Sequence, residues 1–200
     1  PVRFVGNYSS GKMGLAIAEA CYEQGANVNL VCGPVTCKAA YGGIRVTSVV
    51  SANDMYTAVH ALFPGSDVAV MAAAVADYAP AERSNQKIKK TEEKLDLELI
   101  KTPDILKSIG AAKTIKQLVV GFALETENER ENALQKLLSK NADLIVLNSL
   151  RDAAAGFGKD TNKVTIFDRT QKAYVFEAKS KKLVANDIVD LITKMLNEKM

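Results

Sequence analysis

The chain has 200 residues, 48% of them apolar and 24% charged, with a formal net charge of +3. That length holds one domain with a substantial core and leaves little room for a second, so a single domain over residues 1–200 is expected. The small positive excess makes no case for nucleic acid and suits an anionic small molecule as well, while the longest apolar stretches fall far short of the ~20 residues of a membrane span.

No charged-then-apolar leader opens the sequence. Cys21, Cys32 and Cys37 are odd in number and lack metal-ligand spacing, which reads as buried free thiols in a reducing, cytoplasmic setting. The first residue is Pro1 rather than Met, which points to a start inside a longer polypeptide.

Residues 2–6 read as a strand and 11–24 as a helix, with Ala16, Ile17, Ala20 and Cys21 at helical spacing, Ser10 as N-cap and Gly25 as terminator. Strands follow at 28–31 and 44–50, then a helix at 52–62. The run 68–76 is almost continuously apolar, the pattern of a strand buried on both faces. A helix from about 103, a strand at 118–122, a helix at 127–139 and a strand at 144–147 continue the alternation. Such alternation predicts a doubly wound, Rossmann-like α/β fold, a mostly parallel sheet with helices on both faces.

Two segments break the rhythm. Residues 77–103 are polar and lysine-bearing and include 95–100 in strict alternation, which predicts a projecting arm carrying a strand with one wet face. Residues 156–160 form a turn-rich loop, 164–167 and 174–177 a C-terminal β-hairpin, and 181–197 a final helix.

NYSSGKMG, residues 7–14, sits where the first strand turns into the first helix. A glycine-bearing turn of this kind presents backbone N–H groups and the positive end of a helix dipole, so its natural occupant is an anion, phosphate above all. A Walker A loop is ruled out because Lys12 is followed by Met13, not Ser or Thr. A dinucleotide fingerprint is disfavoured: Gly6, Gly11 and Gly14 have other spacings, and the second strand ends in Val31, Cys32, Gly33 and Pro34 with no carboxylate for a ribose. His60, the only histidine, has no triad partner in view and reads as structural.

The turns taken together are more specific. PVRFVGNYSSGKMG at the start, AAAVADY at 72–78, KIKK at 87–90, KTPDIL at 101–106, VGFALET at 120–126 and GFGKDTNKV at 156–164 resemble, in order and end to end, the motifs of phosphopantothenate-cysteine ligase of coenzyme A biosynthesis. The resemblance implies a reaction in which CTP activates 4'-phosphopantothenate as an acyl-cytidylate with release of pyrophosphate, after which the amine of L-cysteine displaces CMP. It implies magnesium, and a homodimer in which the arm of one subunit lies near its partner's site. Fusion to a phosphopantothenoylcysteine decarboxylase domain is compatible with Pro1. CTP rather than ATP follows only from the bacterial look of the motifs.

By the same resemblance Asn7 handles the acyl-nucleotide intermediate and Lys87 reaches the triphosphate; these are the catalytic candidates. Ser9, Ser10, Gly11 and Lys12 form the substrate anion turn, and Arg3 is either a phosphate partner or a structural ion pair. Met71, Ala72 and Ala73 leave room for the nucleotide, and Asp77 takes its ribose hydroxyls or the metal shell, or else serves as a turn carboxylate. Pro103, Asp104, Ile105, Leu106 and Phe122 line the base and phosphate pocket, and Lys136 and Lys140, four apart on one helical face, meet the nucleotide. Tyr8 stands where the family commonly has histidine, and Ser149, after Asn148, where it has an acidic residue. A nucleotide-binding module without catalysis is the alternative class.

Overall fold

The computed structural model describes residues 5–35, 38–82, 86, 96–149 and 161–199, and of Ser149 only the backbone. Arg3, Cys37, Lys87 with the rest of KIKK, and the loop 156–160 lie outside the described residues, as does most of the expected first strand; Val5 and Gly6 adopt no regular structure. The elements in order are α1 (Lys12–Glu23), β1 (Asn29–Cys32), β2 (Arg45–Ser48), α2 (Ala52–Leu62), β3 (Val68–Met71), β4 (Tyr78–Pro80), β5 (Leu99–Lys101), α3 (Ile105–Ala112), β6 (Leu118–Glu125), α4 (Glu129–Ser139), β7 (Leu144–Ser149), β8 (Thr161–Asp168), β9 (Ala173–Ser180) and α5 (Lys181–Lys199).

Five strands form the central sheet in the order β3-β6-β7-β8-β9. The first three run parallel and the β8–β9 hairpin adds to them antiparallel, so the expected hairpin extends the main sheet as its edge. Helices cover both faces, as the alternation predicts. On one face Ile17 and Ala20 of α1 and Val184, Ile188 and Ile192 of α5 pack on Leu118, Val120, Leu144, Val146, Val164 and Ile166. On the other, Leu106 and Ile109 of α3 and Ala133 and Leu137 of α4 pack on Val119, Ala123, Ile145 and Phe167. The middle strands β6 and β7 thus read as unbroken apolar runs because neither face is wet.

Three expectations are corrected. The N-cap of α1 is Gly11, at φ +72°, with no side-chain cap bond, rather than Ser10. The strand expected over 68–76 stops at Met71 and its residues are half-buried, since β3 is an edge of the described sheet. Among the described residues the arm contributes only the short antiparallel ribbon β4–β5, and Leu97, Leu99 and Ile100 are all exposed, so both faces of that ribbon are wet. Cys21 and Cys32 form no disulfide among the described residues and are half-buried, and burial pushes the Cys21 thiol up.

A buried charge cluster closes the end of the sheet opposite the strands' carboxyl ends. Asp143, just before β7, accepts from Lys113 Nζ at 2.6 Å, from Val119 N at 2.8 Å and from Lys199 Nζ at 3.3 Å. No helix among the described residues is long and apolar enough to cross a membrane.

Candidate active site

The carboxyl ends of β3, β6 and β7 open toward the start of α1, and the turn 7–14 lies there. Positive φ at Gly11 is what lets the chain swing into the helix; a Cβ on it would also come 3.0 Å from Val35 Cγ1. With no side chain at its N-cap, α1 presents first-turn N–H groups toward a ligand. The Ser9 and Ser10 hydroxyls flank this turn, accepting from Gly11 N at 3.4 Å and from Lys12 N at 3.5 Å. A Cβ on Gly14 would lie 3.6 Å from Ala72 Cβ, so the first turn of α1 abuts the end of β3.

The Asn7 side chain bridges the two segments. Its Nδ2 donates to Ala74 O at 3.1 Å and to Val75 O at 3.4 Å. The donor end of the amide is thereby fixed, and its oxygen is left to address a ligand. Asn7, Ser9, Gly11, Ala72, Ala73 and Pro103 line one cleft. Lys12 is exposed and does not line it.

A second group of residues comes together beside this cleft. Asp77 O accepts from Thr102 N at 2.9 Å, and Thr102 Oγ1 donates to Ala76 O at 2.7 Å, so the segment after β3 is tied to the one before α3. Asp104 caps α3: its Oδ1 accepts from Lys107 N at 2.9 Å and its Oδ2 pairs with Lys140 Nζ at 2.6 Å. Burial works against the Asp104 charge, but the Lys140 ammonium and the Lys107 N–H outweigh it and hold the carboxyl below the usual range. Lys136, half-buried one turn before Lys140, is pushed below the usual lysine range by burial and by Lys140, against the pull of Glu125, Asp77 and Asp104.

Among the sequence candidates, then, Asp104 and Lys140 are in contact, and Asp77, Asp104 and Lys140 all lie near enough to Lys136 to act on its charge, as does Glu125, to which Asn132 Nδ2 donates at 3.1 Å. Glu125 lies within the VGFALET motif, but the sequence reading gives it no role of its own. Ile105 and Leu106 turn their side chains into the core, where Leu106 packs against Gly121, so only their backbone N–H groups can meet a ligand. Phe122 and Met71 are half-buried and pack against opposite core faces. His60 Nε2 lies 2.8 Å from Ser108 Oγ, which donates to Ile105 O, and its ring lies 4.3 Å from that of Tyr56, a packing role.

The sequence reading assigns no role to Asn148 or Asn162. Asn148 is the last residue but one of β7 and Asn162 the second of β8, with the Asn162 Nδ2 3.6 Å from Met13 Sδ in the first turn of α1. Their Oδ1 atoms are buried and find no partner among the described residues.

Among the described residues no three His, Cys, Asp or Glu side chains converge to hold a metal. Asp77 is a single exposed carboxylate, which fits a magnesium ion carried mainly by nucleotide phosphates and water.

The family model of the DNA/pantothenate metabolism flavoprotein C-terminal domain matches residues 1–196. The chain belongs to this family. Among its relatives, a cysteine/cysteine sulfinic acid decarboxylase from an unspecified prokaryote is 47% identical over 197 residues, 98% of this chain and 55% of that protein. The coenzyme A biosynthesis bifunctional protein CoaBC of Bacillus subtilis is 47% identical over 167 residues, 84% of this chain and 41% of that protein. The chain therefore spans about half the length of the curated relatives it matches. Its fold matches the crystal structure of the C-terminal domain of a CoaBC protein with a TM-score of 0.82 at 41% identity, over 99% of this chain and 90% of the other. The family's mixed α/β architecture, with its parallel sheet core, is the fold described above.

Proposed function

We propose that the chain is a phosphopantothenate-cysteine ligase domain that makes an amide in two steps. A carboxylate oxygen of 4'-phosphopantothenate attacks the α-phosphorus of CTP, and pyrophosphate leaves. The amine of L-cysteine then attacks the acyl carbon, CMP leaves with the bonding pair, and the amine's proton passes to solvent. The observation that carries this reading is Asn7: its amide nitrogen is anchored on the Ala74 and Val75 carbonyls beside an uncapped helix start, so its oxygen can hold the incoming amine against the activated acyl group.

In this reading the turn 9–12 binds the phosphate of phosphopantothenate, and Ala72 and Ala73 admit the nucleotide. Lys136 and Lys140, with the N–H groups at the start of α3, offset charge on the triphosphate. Lys87 assists departure of pyrophosphate and Arg3 holds an anionic group. Asp77 is the residue that would hold magnesium, which when bound would supply further charge neutralisation. The active unit is a homodimer, and the domain works beside a phosphopantothenoylcysteine decarboxylase in a longer polypeptide, as the bifunctional relatives suggest.

Pyrophosphate release with magnesium, phosphopantothenate and cysteine, comparing CTP with ATP, tests the reading. The expected result is release that needs CTP and phosphopantothenate, with CMP and amide appearing only when cysteine is added. Asn7→Ala should lower the rate about 100-fold, the scale of a lost transition-state hydrogen bond, with only the modest loss of stability expected from its exposed bonds to Ala74 and Val75. The name of the decarboxylase relative supplies the opposing outcome: carbon dioxide from cysteine sulfinate without any nucleotide would replace the ligase reading.

A further inference from the structure

We propose that Asp104 is a positioning residue that aims Lys140 at the bound nucleotide. The inference rests on the ligase reading and deepens it. Both oxygens of Asp104 are already engaged, one by Lys107 N–H and the other by Lys140 Nζ. A carboxylate so occupied reaches a nucleotide through its partner.

The backbone of Lys140 is held at a distance from that partner. Its carbonyl lies against α3 so closely that a Cβ on Gly110 would come 1.9 Å from it, and Asn141 Nδ2 donates to Gly110 O at 2.7 Å. Gly110 stands a turn and a half beyond Asp104, so the Lys140 side chain runs back along α3 to reach the first turn. There Lys107 N–H is taken by the Asp104 side chain and Ser108 N–H by the Asp104 carbonyl at 3.0 Å. Ile105 and Leu106 N–H keep no recorded partner among the described residues, and the Lys140 ammonium is delivered to the end of the helix where they point. Lys136, by contrast, has no carboxylate at hydrogen-bond distance among the described residues and is drawn at longer range toward Glu125, Asp77 and Asp104. Of the two lysines, only Lys140 is oriented before the nucleotide arrives.

Asparagine caps a helix as well as aspartate does, so Asp104→Asn retains the cap and removes the ionic hold on Lys140. Affinity for magnesium-CTP, by calorimetry and as KM in the pyrophosphate assay, is compared in wild type, Asp104→Asn, Lys140→Ala and the double variant. Asp104→Asn is expected to weaken CTP binding about five-fold, the scale of one partly exposed ion pair, with a loss of stability no larger than that of the same single pair. In the Lys140→Ala background it should add nothing. Unchanged affinity in Asp104→Asn, or an equal loss with and without Lys140, overturns the proposal. Wild type that neither binds CTP nor releases pyrophosphate defeats the ligase reading itself, whereas wild type that binds without turnover leaves the affinity series to decide the role of Asp104.

Discussion

The strand pairs β6–β7 and β4–β5 are built from similar letters and meet different fates. Val119, Val120, Leu144, Ile145 and Val146 are wholly shielded from solvent, whereas Leu99 and Ile100 remain exposed by 42% and 51%. Both pairs complete a backbone ladder, so the difference lies in cover. Helices α1 and α5 close one face of the sheet and α3 and α4 the other, while among the described residues no helix makes extensive contact with the ribbon. Apolar residues become core only where a second layer meets them.

The largest effect should come from opening the well-covered region at its charged end. Asp143→Ala leaves Lys113, with its side chain only 8% exposed, without its partner and strands the Val119 N–H. A loss of about 3–5 kcal/mol in urea unfolding is expected, as for a buried ion pair broken on one side; a loss below about 1 kcal/mol would show that water already reaches the site.

A middle-sized effect belongs to acid. Asp168 in the β8–β9 turn accepts from Thr170 N, Thr170 Oγ1, Lys172 N and Tyr174 OH. Burial opposes its charge, yet these donors prevail and hold its carboxyl below the usual range, as Lys140 and Lys107 do for Asp104. Folded aspartates of this kind bind protons less readily than unfolded ones, so their stabilisation is complete above about pH 4 and drains as pH falls through the folded values. Urea midpoints measured from pH 6 down to pH 2.5 should decline below about pH 4, less steeply in Asp168→Asn.

The smallest effect should fall on the ribbon. Ile100→Ser is expected to change the unfolding free energy of dilute protein by less than about 0.5 kcal/mol. If the proposed homodimer pairs through this ribbon, the same substitution raises the concentration at which sedimentation reports dimers. No change in either measurement would place the dimer contact elsewhere.

The helices and the central strands are legible in the sequence because their signals are local. The apolar run that reads as one strand over 68–76 is legible only in its first half. Val68 to Met71 are strand formers with a partner in β6, whereas the alanines after them favour strands weakly, and the carbonyls of Ala74 and Val75 bond to the side chain of Asn7 instead of a neighbouring strand. The expected Ser10 cap fails for a similar reason: local chemistry allows it, but the swing at Gly11 moves the cap one residue on. The resemblance carries Asp77, Asp104, Lys136 and Lys140 to one place, and the structure adds what letters cannot show, that Asp104 and Lys140 are joined. Nothing in their spacing marks Lys113, Asp143 and Lys199 as a triad, since each is drawn from a different part of the chain.

The cover supplied by α5 also sets an order of events at the ribosome. Val184, Ile188 and Ile192 lie on the sheet face that carries Leu118, Val120, Leu144 and Val146, and they are synthesised after every strand of that sheet. Until α5 has emerged that face has only α1 to roof it, so any sheet that forms earlier offers chaperones and neighbouring chains the surface that the finished fold hides.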